Sequence, residues 1–128
     1  MLDIFEKYDY FDTLISGINF NMSLNDPLRE SKADLLAVMG NPIRLTILQL
    51  ISESEWPVNA LAERMGLSQS ALSQHLAKLR SRRLVNTRRE AQTVYYSGKA
   101  RSVQIILKAL DTAFEGMPLH DAWESRPF

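Results

Sequence analysis

Residues 58–83 have the sequence VNALAERMGLSQSALSQHLAKLRSRR, and this stretch decides the fold. Apolar residues recur every three or four positions on both sides of Gly66, which predicts two short helices joined by a tight turn. Gly66 supplies the turn, and Ser68 is a good N-cap for the second helix. Leucines repeat along one face of that second helix, while its opposite face is small, polar and uncharged. The leucine face is expected to be buried and the polar face exposed.

Charge is distributed unevenly along the 128 residues, although the formal net charge is zero. Residues 58–101 carry nine basic and two acidic side chains, whereas residues 1–57 have a net charge of −5 and residues 102–128 one of −2. No acidic residue lies between Gly66 and Arg89. A basic segment of this kind favours binding to a polyanion, and the acid-free second helix suits a surface pressed against DNA.

Composition argues against several classes of protein and site. The chain contains no cysteine, which removes disulfides, thiolate metal sites, thiol redox switches and cysteine catalysis. It has no run of about 18 apolar residues, so we expect no membrane span and no membrane partner. The first twenty residues contain four acidic side chains and lack the basic start of a signal peptide, so a cytoplasmic protein is expected.

The remaining segments predict the rest of the architecture. Before residue 58 we expect an amphipathic helix at residues 2–20, helices at about residues 27–39 and 43–52, and a short extended segment at residues 55–57. After Arg83 the apolar pattern alternates, which predicts a β-hairpin with strands at residues 84–89 and 93–96. A strong apolar stripe over about residues 100–115 predicts a last helix.

Helices, helix-turn-helix, β-hairpin and helix, in this order, predict a winged helix-turn-helix, a mainly α fold with a small β-hairpin wing. We expect one domain over residues 1–128. Its parts are an N-terminal dimerisation helix and linker at 1–26, a DNA-binding motif and wing at 57–98, a dimerisation helix at 99–115 and a tail at 116–128. The two terminal helices carry more apolar surface than one small domain needs, so a homodimer that reads an inverted repeat is expected.

Three segments closely resemble the arsenic-repressor (ArsR/SmtB) family. They are MGNPIRLTIL at residues 39–48, LSQSALSQHLAKLR at residues 67–80 and VNTRREAQTVYY at residues 85–96. The nearest resemblance is to the non-metal branch of that family, the haemolysin-activator-like and nodulation-repressor-like regulators, and it covers roughly residues 28–115. It implies a winged-helix transcription regulator that binds double-stranded DNA.

The second helix of the motif is expected to be the recognition helix in the major groove. With about 100° between successive residues, Ser70, Ser73 and Gln74 lie opposite the buried leucines, where base edges would be. Gln74 can bind adenine through two hydrogen bonds, and serine hydroxyls adapt to several bases. Gln69, near the helix start, is in position to reach a phosphate or a base.

Basic side chains around this face are expected to hold the DNA backbone. The predicted phosphate contacts are Lys78, Arg80, Arg82 and Arg83, with ordinary solvated surface charge as the alternative for one or two of them. Arg88 and Arg89 flank the predicted wing, and Gln92 lies near its tip. Arginine fits a narrow minor groove, so the wing is expected to contact DNA there. A hairpin that merely completes the domain is the alternative.

Two further residues allow more than one interpretation. His75 lies on the flank of the recognition helix, where it either contacts DNA, most simply the backbone, or forms a hydrogen bond within the domain. We count it among the predicted DNA contacts. Arg44 either contacts DNA or forms an internal ion pair, and the internal position is favoured because it lies in an apolar helix.

The resemblance also implies which switches the chain lacks. Where relatives hold a metal on their last helix, the matching residues are Lys99, Arg101, Thr112 and Glu115, only one of them a carboxylate. Where redox-sensing relatives carry two cysteines, Gln49 and Glu115 stand here. We therefore expect no metal, no cofactor and no thiol switch. The remaining candidate metal set is His120 with Asp121 and Glu124, and the sequence identifies no small-molecule effector.

These observations predict a sequence-specific DNA-binding transcription regulator, most simply a homodimeric repressor that occludes a promoter. An activator that displaces a nucleoid protein would use the same contacts. The alternative from a different class is a winged-helix protein-interaction module, or an anti-repressor, that has lost or changed ligand sensing. An enzyme is not expected, because no nucleophile elbow, glycine-rich phosphate loop or metal set accompanies the Ser, His and Asp residues.

Overall fold

The computed structural model of the chain describes residues 26–117. By internal contacts the chain divides into two units, Met1–Asp34 and Leu35–Phe128. The elements of the described residues are α1 (Arg29–Met39), α2 (Pro42–Glu53), β1 (Trp56–Pro57), α3 (Val58–Met65), α4 (Gln69–Ser81), β2 (Asn86–Glu90), β3 (Thr93–Ser97) and α5 (Arg101–Ala113). The helix predicted over residues 2–20 and the tail beyond residue 117 lie outside the described residues.

In the first unit, Asp26 holds the turn that precedes α1. Its carboxylate accepts hydrogen bonds from the backbone N–H of Leu28 at 2.8 Å and from Lys32 Nζ at 2.5 Å. These donors lower the pKa of the Asp26 carboxyl, the side-chain bond from Lys32 contributing most. Pro27 lies in this turn, and α1 begins two residues later, at Arg29.

In the second unit, the start of α2 is fixed by Asn41. Its side-chain oxygen accepts hydrogen bonds from the backbone N–H groups of Ile43 at 2.9 Å and Arg44 at 3.1 Å. Pro42 occupies the first helical position, where no N–H is needed. This cap ends the preceding segment and sets the direction of α2, which carries Ile47, Leu48 and Ile51 into the core.

The two helices α3 and α4 form the predicted helix-turn-helix. Gly66 ends α3 with φ of +67°, a left-handed conformation that a side chain would strain. Ser68 then caps α4, because its hydroxyl accepts a hydrogen bond from Ala71 N–H at 3.2 Å. The leucines of α4 are fully buried, as the sequence predicted; they are Leu72, Leu76 and Leu79.

The wing belongs to a three-stranded antiparallel sheet with strand order β1-β3-β2. The predicted hairpin is confirmed, and the predicted extended segment supplies β1, whose Trp56 pairs with Tyr96. Trp56 also donates its indole N–H to the carbonyl of Leu50 at 3.1 Å, which makes it a packing residue. Just after β3, Gly98 passes so close to Ile51 and the Leu84 carbonyl that a Cβ would lie 3.1 Å from each.

A tight connection joins α4 to the wing. Arg83 adopts φ of +58°, a conformation that favours glycine, and its N–H donates to the Arg80 carbonyl at 2.9 Å. The next N–H, that of Leu84, donates back to the Leu79 carbonyl at 3.0 Å. Leu84 and Val85 are buried, so the chain enters β2 directly from the core.

The last helix, α5, is buried at one end and exposed at the other. Val103 is buried in the core, whereas Leu110 is 38% exposed and Phe114, just after the helix, is 53% exposed. The arrangement confirms the predicted mainly α winged helix-turn-helix. Among residues 26–117 no single helix is long and apolar enough to span a membrane; α1 and α2, separated by a sharp bend, meet that test only as a pair.

Candidate nucleic-acid interface

One side of α4 presents an uncharged surface of small or polar side chains, which we call the reading face: Ser70, Ser73, Gln74 and Ala77. All four residues are exposed, and they lie opposite the buried leucines. Ser70 Oγ lies 3.2 Å from the capping hydroxyl of Ser68, which places it at the helix start. Small side chains allow a close approach, and the hydroxyls and the amide can bind base edges.

Exposed cations lie beside the reading face. Lys78 and Arg80 are in the last turn of α4, and Arg82 and Arg83 follow it directly. The structure thus brings the predicted phosphate contacts together at one end of the recognition helix. A dense group of cations at this place suits the spacing of phosphates along a groove. Their contacts with DNA stay a prediction.

On the wing, Arg88 is held by two carboxylates. Its Nε and Nη2 donate to Glu55 at 3.1 and 2.6 Å, and its Nη1 donates to Glu90 at 2.7 Å. Its guanidinium also lies over the ring of Tyr95, 4.5 Å from the centroid. The carboxylates raise the pKa of Arg88, and in return Arg88 lowers that of Glu55. A groove contact by Arg88, as the sequence predicted, therefore requires an exchange of partners.

Arg89 and Gln92 are placed differently from Arg88. All three residues are exposed, and the two-residue turn Ala91–Gln92 forms the tip of the hairpin. Successive strand residues point to opposite faces, so Arg89 projects away from the side on which Arg88 meets Glu55. The structure leaves Arg89 as the wing cation with the more direct approach to a groove.

Arg44 of α2 and His75 on the flank of α4 face each other. Arg44 is 9% exposed; its Nε donates to the Val38 carbonyl at 2.5 Å, and its Nη1 lies 3.5 Å from His75 Nδ1. The internal position favoured for Arg44 is confirmed, but the contacts described for it are a carbonyl and an imidazole rather than the acid of an ion pair. A guanidinium can only donate, so a hydrogen bond at this 3.5 Å contact requires the neutral imidazole tautomer with Nδ1 as the acceptor.

The pKa of His75 is lowered from its ordinary value of 6.5. Burial contributes most, because it disfavours the charged imidazole, and the positive charges of Arg44 and Lys78 act in the same direction. The half-buried position of His75 and its contact with Arg44 are consistent with the internal alternative, in which Nδ1 faces Arg44. A DNA contact through the remaining ring atoms stays a prediction.

Sequence reasoning missed two polar residues at this surface. Glu55 was assigned only to the predicted extended segment, and its bond to Arg88 was missed because Arg88 lies 33 residues later and nothing local connects them. Asn59, in the first turn of α3, was also missed; it accepts a hydrogen bond at 2.6 Å from the amide of Gln69, in the first turn of α4. The usable signal for Asn59 was its position, since a tight turn between helices brings exposed polar residues near each other.

Candidate metal ligands are sparse in the described part of the chain. Within residues 26–117 no group of three His, Cys, Asp or Glu side chains could hold a metal ion. The residues that match the ligand positions of metal-sensing relatives, Lys99, Arg101, Thr112 and Glu115, are all exposed. The set of His120, Asp121 and Glu124 lies outside the described residues.

Comparisons with known proteins agree with this geometry. A family model described as bacterial regulatory protein, arsR family, matches residues 41–87. The chain is 50% identical over 98 residues to the nodulation protein NolR of Rhizobium meliloti, which covers 77% of this chain and 79% of NolR. It is 50% identical over 96 residues to the transcriptional activator HlyU of Vibrio cholerae, covering 75% and 89%. The crystal structure of NolR from Sinorhizobium fredii matches with a TM-score of 0.65 and 49% identity, over 70% of this chain and 93% of that one.

Acid is expected to destabilise the protein through His75. Its pKa in the folded state lies below that in the unfolded chain, so the unfolded state takes up the proton first. The contribution of His75 is complete above pH 6.5 and is lost as the pH falls below that value. We expect the free energy of unfolding, measured in urea from about pH 7.5 to about pH 5.5, to fall more steeply in the wild type than in His75→Asn.

The Asn variant is the matched control, because its amide oxygen keeps an acceptor near the position of Nδ1 and does not titrate. His120 is present in both proteins, so its own titration cancels in the comparison. Parallel curves for the two proteins would show that His75 is not a buried neutral acceptor.

The two wing arginines are expected to differ in DNA binding. Arg89→Ala should reduce the slope of log affinity against log salt by about one, because one phosphate-neutralising charge is lost. Arg88→Ala should change it less, because Glu55 and Glu90 already balance that charge. Fluorescence anisotropy with a labelled duplex over a salt series measures both slopes. Equal losses would show that Arg88 leaves its carboxylates for DNA.

Proposed function

Since the chain belongs to the arsR family of bacterial regulatory proteins and is a DNA-binding transcription regulator, we propose that it represses transcription as a homodimer bound to an inverted repeat. A dimer doubles the short sequence that one recognition helix can read, and two-fold symmetry requires two-fold symmetry in the operator. Repression follows most simply, because a dimer bound over a promoter excludes the polymerase.

The reading face is the observation that carries this proposal. An exposed helix surface normally carries mixed charges, yet this one is uncharged and backed by three fully buried leucines. The cations stand beside it rather than on it. This division matches the chemistry of an operator, in which phosphates fix the position and base edges supply the sequence.

The dimer is proposed to form through α5 together with the predicted N-terminal helix. Val103, Leu107 and Leu110 follow one another at three- or four-residue spacing, so they share one face of α5, and Phe114 continues this spacing just after the helix. The core of one protomer buries the beginning of that stripe and leaves Leu110 and Phe114 exposed. The exposed end suits the same stripe of a second copy, because an isologous contact requires a self-complementary surface.

The activator and the interaction module remain the other candidate functions. One relative, HlyU, is a transcriptional activator, and an activator that displaces a nucleoid protein would use the same proposed contacts. We propose a regulator without a thiol switch, as the chain has no cysteine, and without a metal switch. Its action is proposed to be binding without catalysis, in the cytoplasm, where bacterial DNA lies.

The central experiment selects an operator and then separates base reading from phosphate holding. Repeated selection from a randomised duplex library by the wild-type protein should yield an inverted repeat. Gln74→Ala should lower the ratio of operator to random-duplex affinity by about fivefold or more, since a good amide–base pair is worth about 1–3 kcal/mol. Lys78→Ala should weaken binding to both duplexes to a similar degree.

The selection and the titration of each protein with both duplexes can also contradict the proposal. If the selection enriches no common sequence, the proposed function is wrong. If Gln74→Ala and Lys78→Ala both leave the two affinities unchanged, the reading face does not contact DNA.

The dimer is tested on α5. Leu110→Glu should shift the protein toward monomer in analytical ultracentrifugation and weaken operator binding, because it places a charge within the proposed interface. Thr112→Glu is the matched control: it adds the same charge to the same helix, on the side opposite Val103. An unchanged sedimentation profile for Leu110→Glu, or equal effects of the two variants, would exclude this face as the interface.

A further inference from the structure

A hydrogen bond between two side-chain amides connects the start of α3 to the start of α4. Gln69 Nε2 donates to Asn59 Oδ1 at 2.6 Å, and both residues are exposed. Asn59 is the second residue of its helix and Gln69 the first of its own. The two helices pack against each other, so the backbones that carry these side chains are fixed.

Gln69 lies in line with the reading face. It precedes Ser73 by four residues, and residues at this spacing are neighbours on one side of a helix. A glutamine at this place can therefore extend the reading face by one contact toward the N-terminal end of α4. Without a partner, an exposed glutamine populates many rotamers, and binding a base costs the entropy of fixing one of them.

The bond to Asn59 reduces that disorder and leaves the binding chemistry intact. A side-chain amide has two N–H donors and one oxygen with two lone pairs. Asn59 takes one N–H of Gln69, so the other N–H and the oxygen remain for a ligand. A donor beside an acceptor is the pattern that matches N7 and N6 of adenine in the major groove.

We infer that Asn59 is a specificity-determining residue that holds the Gln69 amide in the orientation in which it meets a base of the operator. Asn59 is thus a positioning residue, and Gln69 makes the contact. This inference rests on the proposed function, because it requires that α4 lie in the major groove. It predicts that Asn59 affects the choice of sequence through Gln69 and not by a separate contact.

The experiment is a double-mutant cycle on the selected operator and on duplexes that vary one base pair at a time. Gln69→Ala should lose preference at one base pair of each half-site. Asn59→Ala should lose preference at that same base pair, lowering the discrimination by about threefold to tenfold, and the double variant should be no worse than Gln69→Ala alone. Asn59→Asp keeps an acceptor for the Gln69 N–H, so it should retain the preference while its charge weakens binding to all duplexes.

Asn86→Ala is the control, because it removes another exposed asparagine at the beginning of the wing. It should show no coupling to Gln69→Ala. Thermal unfolding of each variant separates loss of folding from loss of specificity.

The outcomes distinguish this inference from the function on which it rests. Additive losses from Asn59→Ala and Gln69→Ala, or a lower melting temperature in Asn59→Ala with unchanged base preference, would overturn the positioning role. If the wild type prefers its operator and only Gln69→Ala changes that preference, the inference fails while the proposed function stands. If the wild type shows no preference among duplexes, the proposed function itself fails.

Discussion

The burial of three leucines on α4 is the constraint on which the rest of the molecule depends. Leu72, Leu76 and Leu79 are at most 1% exposed, and together they fix the rotation of the recognition helix about its own axis. If α4 were rotated about its axis by about 100°, the angle between successive residues, a leucine would come to the surface and a serine would enter the core. The same contacts that stabilise the fold therefore determine which side chains α4 exposes on the reading face, the surface proposed to bind DNA. Core packing and the proposed base reading use opposite faces of one helix.

Whether a cationic side chain is available to bind DNA phosphates depends on the protein groups that already bind it, and not only on its charge. The sequence does not distinguish the two adjacent arginines of the wing. In the structure both are exposed, and Arg88 is bound by two carboxylates that lie on the other side of the strand from Arg89. Arg44 is similarly taken up by the Val38 carbonyl and His75. The net charge of residues 58–101 thus overstates the charge available to phosphates, because Arg88 is already balanced, in part by Glu55 from outside that segment.

How far the sequence predicted the molecule follows from the range of each interaction. The helix-turn-helix was predictable because Gly66 and Ser68 act on their own neighbours and the leucines repeat with the helical period. The hairpin was predictable from alternation. The partners of Arg88 and Gln69 were not, because Glu55 and Asn59 lie 33 and 10 residues away along the chain. Periodicity assigns a face to a residue; it does not assign a contact across two elements.

The short connection between α4 and the wing has a consequence for the DNA itself. Arg83 turns the chain in a left-handed conformation, and the buried Leu84 and Val85 carry it directly into β2. The connection between α4 and β2 is therefore short, hydrogen-bonded and anchored in the core. If α4 and the wing both contact DNA, as predicted, this connection limits the distance between the two grooves that they can reach. A duplex with another groove width would then have to bend or twist, and base steps without a protein contact would contribute to selection through their stiffness.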